Sequence, residues 1–188
     1  MMTFQHFKNR AMLPLATAIA NLLPPTRCFG LRRSLFRCAG LKVASGVSIM
    51  SGVSFQFSNV SLGDNTWVGS QTQFVCSEKS WIHIGARVDI APGVMFNTGS
   101  HEAGTHERRA GKNCAKTISI GNGTWVGMGA IILDGTTVGD GCVIAAGAVV
   151  RGEFPDDVLI AGVPARIVKQ LNDPSPQGVK EQAQCALR

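Results

Sequence analysis

Two of the chain's four histidines stand in a stretch without any regular pattern. His101 and His106 lie in the run Asn97 to Thr117, NTGSHEAGTHERRAGKNCAKT, which is polar, charged and glycine-containing. An imidazole titrates near neutral pH, so it can take a proton from a poor nucleophile as that group attacks and return it to a leaving group. His101, just after Thr98-Gly99-Ser100, is the candidate base. His106 reads as a loop residue facing solvent. Asn97 is placed to orient His101 or an acceptor, and equally to form a turn. Glu107 and Arg108 read as an acidic and basic clamp within the loop. The six cysteines, Cys28, Cys38, Cys76, Cys114, Cys142 and Cys185, form no CxxC pair. They read as free thiols in a reducing compartment, several of them buried.

The elements that must position these side chains are set by a beat of six. Ile120, Val126, Ile132, Val138, Ile144 and Val150 are six residues apart. A small residue follows four places after each of the first five: Thr124, Ala130, Thr136, Cys142 and Ala148. Neither a helix nor a freely alternating strand has this period. A short fixed repeat means a solenoid of stacked units. Each hexad is one short strand and a turn, with the aliphatic residue inward and the small residue at the corner. Three hexads close a triangular coil, and coils stack through parallel ladders. The beat begins at Val43, Ile49 and Phe55 and resumes at Leu62, Val68 and Phe74. It continues through Ile84, Ile90 and Phe96, with extra residues near Asn59 and from Glu78 to Trp81 reading as corner bulges. It fails over Asn97 to Thr117, which predicts a loop protruding from one face, where solenoids carry function.

The pattern resembles the hexapeptide-repeat acyltransferases, and within them the maltose, galactoside and polysaccharide O-acetyltransferases. The residues that carry the likeness are His101 in a long loop, Ile120-Gly121-Asn122 with Trp125-Val126-Gly127, and Ala161 through Arg166. The resemblance implies an all-β fold, a left-handed parallel β-helix; the N-terminal segment departs from the helical cap typical of the maltose and galactoside enzymes. It implies an acetyl-CoA-dependent O-acetyltransferase acting on a saccharide, such as an exopolysaccharide or lipopolysaccharide precursor, by direct transfer with His101 as general base. An amino sugar or a xenobiotic is the alternative acceptor. Gln71, Gln73, Asn97 and Trp125 are then the acceptor-side candidates, although the pattern around Gln71 and Gln73 departs from the family's. Backbone groups near Met128 and Ala146 would meet the thioester and pantetheine arm. Arg166 and Lys169 would meet the nucleotide phosphates, Arg through its planar fork. The resemblance also implies a homotrimer with sites between subunits and no required metal. Two readings from other classes stand beside it. One is a zinc protein using His83, His101 and His106, since three imidazoles can hold a catalytic zinc. The other is a non-catalytic scaffold.

Length and charge bound the rest. At 188 residues the chain fits one domain. The formal net charge is +6, but the basic residues are scattered and no aromatic-interleaved basic motif occurs, which points away from nucleic acid. Met12 to Leu23 is apolar and stopped by Pro24-Pro25, predicting a helix that caps the coil or touches a membrane face. Its length and the poor cleavage signal argue against a signal peptide or a membrane span. Arg27, Arg32, Arg33 and Arg37 suggest a second, basic helix with a solvated charged face. The expected organisation is a helical, basic segment over residues 1–40 and the β-helix over 41–169 with its active-site loop at 97–117. A mobile tail is expected over 170–188. The expected location is cytoplasmic, with peripheral contact at the inner face of the membrane through the N-terminal segment.

Overall fold

The computed structural model describes residues 4–171, with side chains from Met12 onward. Most of the tail expected to be mobile therefore lies outside the described residues, as does Cys185. Two helices come first, α1 (Phe4–Leu22) and α2 (Phe29–Cys38). After them the chain runs in strands of two or three residues at the expected beat. Three sheets of six, seven and five strands result, one on each side of a prism, parallel except for the last strand of the seven. The first side runs from Lys42–Val43 to Glu153–Phe154. The second starts at Ser48–Ile49 and ends with an antiparallel pair, Val158–Gly162 with Ala165–Gln170. The third runs from Ser54–Phe55 to Val149–Val150. This is the parallel β-helix that the period requires.

The core is a set of columns, one inward residue per coil. On the third side Phe55, Phe74 and Phe96 stack with ring centroids 4.8 and 5.0 Å apart. Phe36 of α2 meets Phe55 edge-on at 4.9 Å, so the helix extends the column and closes the end of the prism. The corner threonines expected from the repeat are fully buried. Thr66 and Thr124 donate their hydroxyls to the carbonyls of Gly85 (2.8 Å) and Gly139 (3.1 Å) of adjoining coils. The corner glycines follow two rules. Gly123, Gly129 and Gly147 adopt positive φ. Gly127 does not; there a Cβ would lie 2.5 Å from the backbone nitrogen of Ala146, so coil spacing excludes any side chain.

The two helices correct one expectation. α1 runs through Pro14 and keeps going because Leu13, Ala16 and Ala20 are buried along one face. α2 forms where its basic residues predicted a helix, but its charge is not simply solvated. Arg32 is fully buried. Its Nε donates to Ala20 O at 3.1 Å, and its Nη atoms donate to the carbonyls of Leu23 (2.9 Å), Pro24 (2.8 Å) and Arg27 (2.7 Å). Arg33 donates to Val47 O, and Arg37 to Val43 O and Ala44 O. The physical reason is the open end of the coil. The first turn has no preceding coil to supply N–H groups, and the end of α1 leaves carbonyls unpaired. Guanidinium groups fill both needs with charge-assisted bonds.

Candidate active site

The stretch expected to be a loop is a two-stranded antiparallel ribbon. Gly99–Ala103 pairs with Ala110–Ala115, with His101 opposite Asn113 and an irregularity between His101 and Ala103. The ribbon springs from Thr98, which is fully buried at its foot. Thr98 accepts a 2.7 Å bond from the Ser80 hydroxyl, and Ser77 Oγ lies 2.9 Å from Ser80 Oγ. Asn59 Nδ2 donates to the carbonyls of Glu78 and Ser80 at 2.9 and 3.2 Å. The extra residues after Cys76, expected as a corner bulge, are thus a braced shoulder beside the ribbon.

His101 is exposed, and its Nδ1 lies 3.1 Å from the carbonyl oxygen of Gly111 on the partner strand. A carbonyl only accepts, so Nδ1 is the donor in this bond, and Nε2 takes no part in it. The ribbon thereby fixes the orientation of this ring. His106 stands at the exposed tip. The tip is closed by a backbone bond from Gly104 N to Arg109 O and by the Arg109 guanidinium on Gly104 O at 3.3 Å, a role the sequence had suggested for Glu107 and Arg108.

A cleft of about 550 Å³ lies between the ribbon and the shoulder. Gly99, Asn113 and Ala115 of the ribbon line it, facing Phe57, Val75 and Lys79. Asn97 lines it as well, and its Oδ1 accepts the N–H of Gly99 at 3.0 Å, so it also makes the turn into the ribbon. Buried Cys76 is part of the lining, and burial pushes its thiol up, which disfavours the nucleophilic thiolate. Gln71 and Gln73 are not brought to the cleft. Gln71 sits at a corner with φ 64°, and Gln73 projects from the middle of the third side. Gln56 reaches it instead. Sequence reasoning missed Gln56, yet the signal was there, one coil before Val75 and two before Asn97. The ladder sets Val75 against Asn97 and Phe55 against Phe74, one residue short of Gln56 and Val75.

The residues matched to the cofactor lie elsewhere. Met128 is exposed at the corner between the second and third sides, and Gly147 N donates to its carbonyl at 2.9 Å. Ala146 therefore stands directly beneath it, one coil on. Ala145 N donates to Ile160 O, which carries the same corner to Ala161 and Gly162. Ala161 pairs with Arg166 and Leu159 with Lys169. Three residues apart, Arg166 and Lys169 would point to opposite faces of a regular strand. The shift between Leu159 and Ile160 puts both opposite outward residues, hence on one face. Met128, Ala146 and the Arg166 end of this hairpin follow one edge, while Lys169, opposite Leu159, stands in the column of Trp125 and Val143 on the second side. Trp125 is 47% exposed on the second side, in register with Asp89 and Val143. Within one chain the third side separates this edge from the ribbon, roughly 15 Å at ~3.3 Å per residue.

The histidines of the zinc reading are not gathered. His83 sits on the first side, its Nδ1 2.8 Å from Ser61 Oγ and its ring stacked on Trp81. Among the described residues no group of three metal-ligating side chains occurs.

Comparison with known proteins agrees with the fold. Residues 117–152 match the family model for the bacterial transferase hexapeptide, six repeats. Galactoside O-acetyltransferase of Escherichia coli K12 is 32% identical over 143 residues, covering 76% of this chain and 70% of that protein. A galactoside acetyltransferase solved with coenzyme A superposes with a TM-score of 0.78 at 28% identity, covering 92% of this chain and 85% of that one. The hexapeptide-repeat acetyltransferase VCA0836 of Vibrio cholerae, solved with acetyl coenzyme A, gives 0.77 at 27% identity over 88% of each chain.

Proposed function

The chain belongs to the hexapeptide-repeat acetyltransferases, and from that premise we propose that it moves the acetyl group of acetyl-CoA to a saccharide hydroxyl with His101 as general base. The observation that carries this reading is the bond from His101 Nδ1–H to Gly111 O, which leaves Nε2 out of the ribbon's own bonding, on the residue paired with Asn113 of the cleft lining. The acceptor oxygen bonds to the thioester carbon as its proton passes to Nε2. The carbon–sulfur bond then breaks, and the proton goes on to the thiolate. An acetyl ester and a free thiol result, with no covalent enzyme intermediate. Holding both reactants together supplies much of the rate.

The cleft suits a sugar. The amides of Gln56, Asn97 and Asn113 surround apolar contact from Phe57 and Val75, which matches hydroxyls around a weakly apolar ring. The precursor of an exopolysaccharide or lipopolysaccharide is the acceptor class we favour. Backbone groups near Met128 and Ala146 hold the thioester arm, and Arg166 and Lys169 meet the phosphates. This edge and His101 stand on opposite borders of one side, so each reaction centre draws on two neighbouring copies. The assembly we propose is a homotrimer with its sites at the subunit boundaries, acting in the cytoplasm where acetyl-CoA is at hand.

The test is thiol release from acetyl-CoA by the purified protein with a panel of sugars and nucleotide sugars, beside light scattering. Release that requires an acceptor, from a trimer, supports the reading. Release with no member of the panel, or a monomer that is fully active, rejects it.

A further inference from the structure

We propose that the helical end of the molecule is a docking surface for an anionic lipid bilayer. Charge is partitioned along the chain. The first 63 residues contain no Asp or Glu and seven basic residues: Lys8, Arg10, Arg27, Arg32, Arg33, Arg37 and Lys42. Everything after them carries eleven basic and twelve acidic residues. The whole positive excess therefore belongs to the helices and the first coils. Arg32 is buried and Arg33 and Arg37 are tied to carbonyls, yet carbonyls do not neutralise them, and Arg27 is exposed just past the end of α1.

The second observation is apolar. Met12, Leu15, Ile19 and Leu22 of α1 are 40%, 61%, 38% and 85% exposed, and Leu31 of α2 is 50% exposed. At 3.6 residues per turn the four on α1 fall within an arc of about 80°. The neighbouring arc of the same helix, Leu13, Ala16 and Ala20, is buried. The helix is thus held against the body by one apolar face and turns a second one outward, where a helix on a water-facing surface carries polar residues. No described helix is long and apolar enough to cross a membrane, so the geometry is that of a helix lying on a surface. A second copy would fit the stripe less well, because it would set one acid-free, positive end against another. An anionic surface meets both features at once, burying the stripe and neutralising the charge. The inference does not rest on His101 or on the acceptor, so it can fail while the transferase reading stands.

The test is sedimentation of the full chain with vesicles of three parts phosphatidylcholine to one part phosphatidylglycerol, beside vesicles of phosphatidylcholine alone. The protein is expected to pellet with the anionic vesicles, to bind neutral ones about tenfold more weakly, and to be released by salt. The double variant Leu15→Glu, Leu22→Glu changes only exposed positions. It is expected to lose about tenfold or more of the binding while keeping thiol release and thermal midpoint. If it is insoluble, Leu15→Ser with Leu22→Ser decides the same point. Wild-type protein that stays in the supernatant with anionic vesicles overturns the proposal. So does a double variant that pellets unchanged, or one whose oligomeric mass falls, which would assign the stripe to a second copy.

Discussion

The ribbon at Gly99–Ala115 and the edge at Met128–Ala146 are two halves of one proposed site built on opposite terms. The edge is part of the repeat. Val126 and Ala130 beside Met128 are fully buried, and Gly127 is pressed against the next coil so closely that no side chain fits. The N–H groups of Gly127 and Gly129 donate to Ile144 and Pro92 of the adjoining coils and the Met128 carbonyl accepts from Gly147, and the same local rule recurs one coil later. The ribbon is outside the repeat. None of the residues in its two strands is buried, and it is held by its own pairing and by the hydroxyls at Thr98. Regularity therefore supplies rigidity, and departure from it supplies an exposed histidine held by one ring nitrogen.

If the two regions divide the work in this way, variants in each should fail differently. His101→Ala should lower thiol release about 100- to 10,000-fold, the usual contribution of a positioned base, with the thermal midpoint unchanged because the ring is exposed. A large fall in the midpoint would mean that the ribbon is structural after all. Phe74→Ala, in the middle of the phenylalanine column, should cost about 3–5 kcal/mol in denaturant unfolding. Activity per folded molecule should survive it, and loss of activity without loss of stability would break the comparison. Arg166→Ala should raise the KM for acetyl-CoA about tenfold and leave kcat within about twofold, as expected for a phosphate contact remote from the reacting atoms. An equal fall in kcat would place Arg166 nearer the chemistry than the edge allows.

The smallest effect concerns acid. Asp140 accepts from the side chain of Asn122 and from its backbone N–H, the latter at 2.7 Å. These bonds hold its carboxyl below the usual carboxylate range. A depressed folded pKa means that the contribution is present above the unfolded value, about 3.9. It is lost as pH falls through the folded value. The midpoint should not respond to Asp140 between neutral pH and about pH 5, and should show a small extra loss below about pH 4. Asp140→Asn should remove that extra loss in acid melts.

Much of this was legible because a solenoid is nearly one-dimensional. The inward residue, the corner threonine and the bulges at Asn59 and Glu78–Trp81 are each decided within a few residues, so Phe55, Phe74 and Phe96 could be read as one set. His101 stood out because the beat failed around it. What could not be read depends on partners distant in sequence. The antiparallel pairing that sets His101 opposite Asn113 needs a register, and Gly and Ser around it signal a loop equally well. Arg32 looks like any surface arginine until α1 and the first coil leave carbonyls around it. Gln73 looked closer to the chemistry than Gln56 because strand length, not residue type, decides which side chain reaches the cleft.

The sequence by itself determined the repeat architecture and where it is interrupted, because period and interruption are local properties of a chain; the resemblance then singled out His101 within the interruption. Only the tertiary structure decided which nitrogen of His101 the ribbon engages, that Arg166 and Lys169 share a face, and that a full side of the prism separates the edge from the ribbon. Each of these is a relation between segments that the stacking of coils, and not the order of residues, brings together.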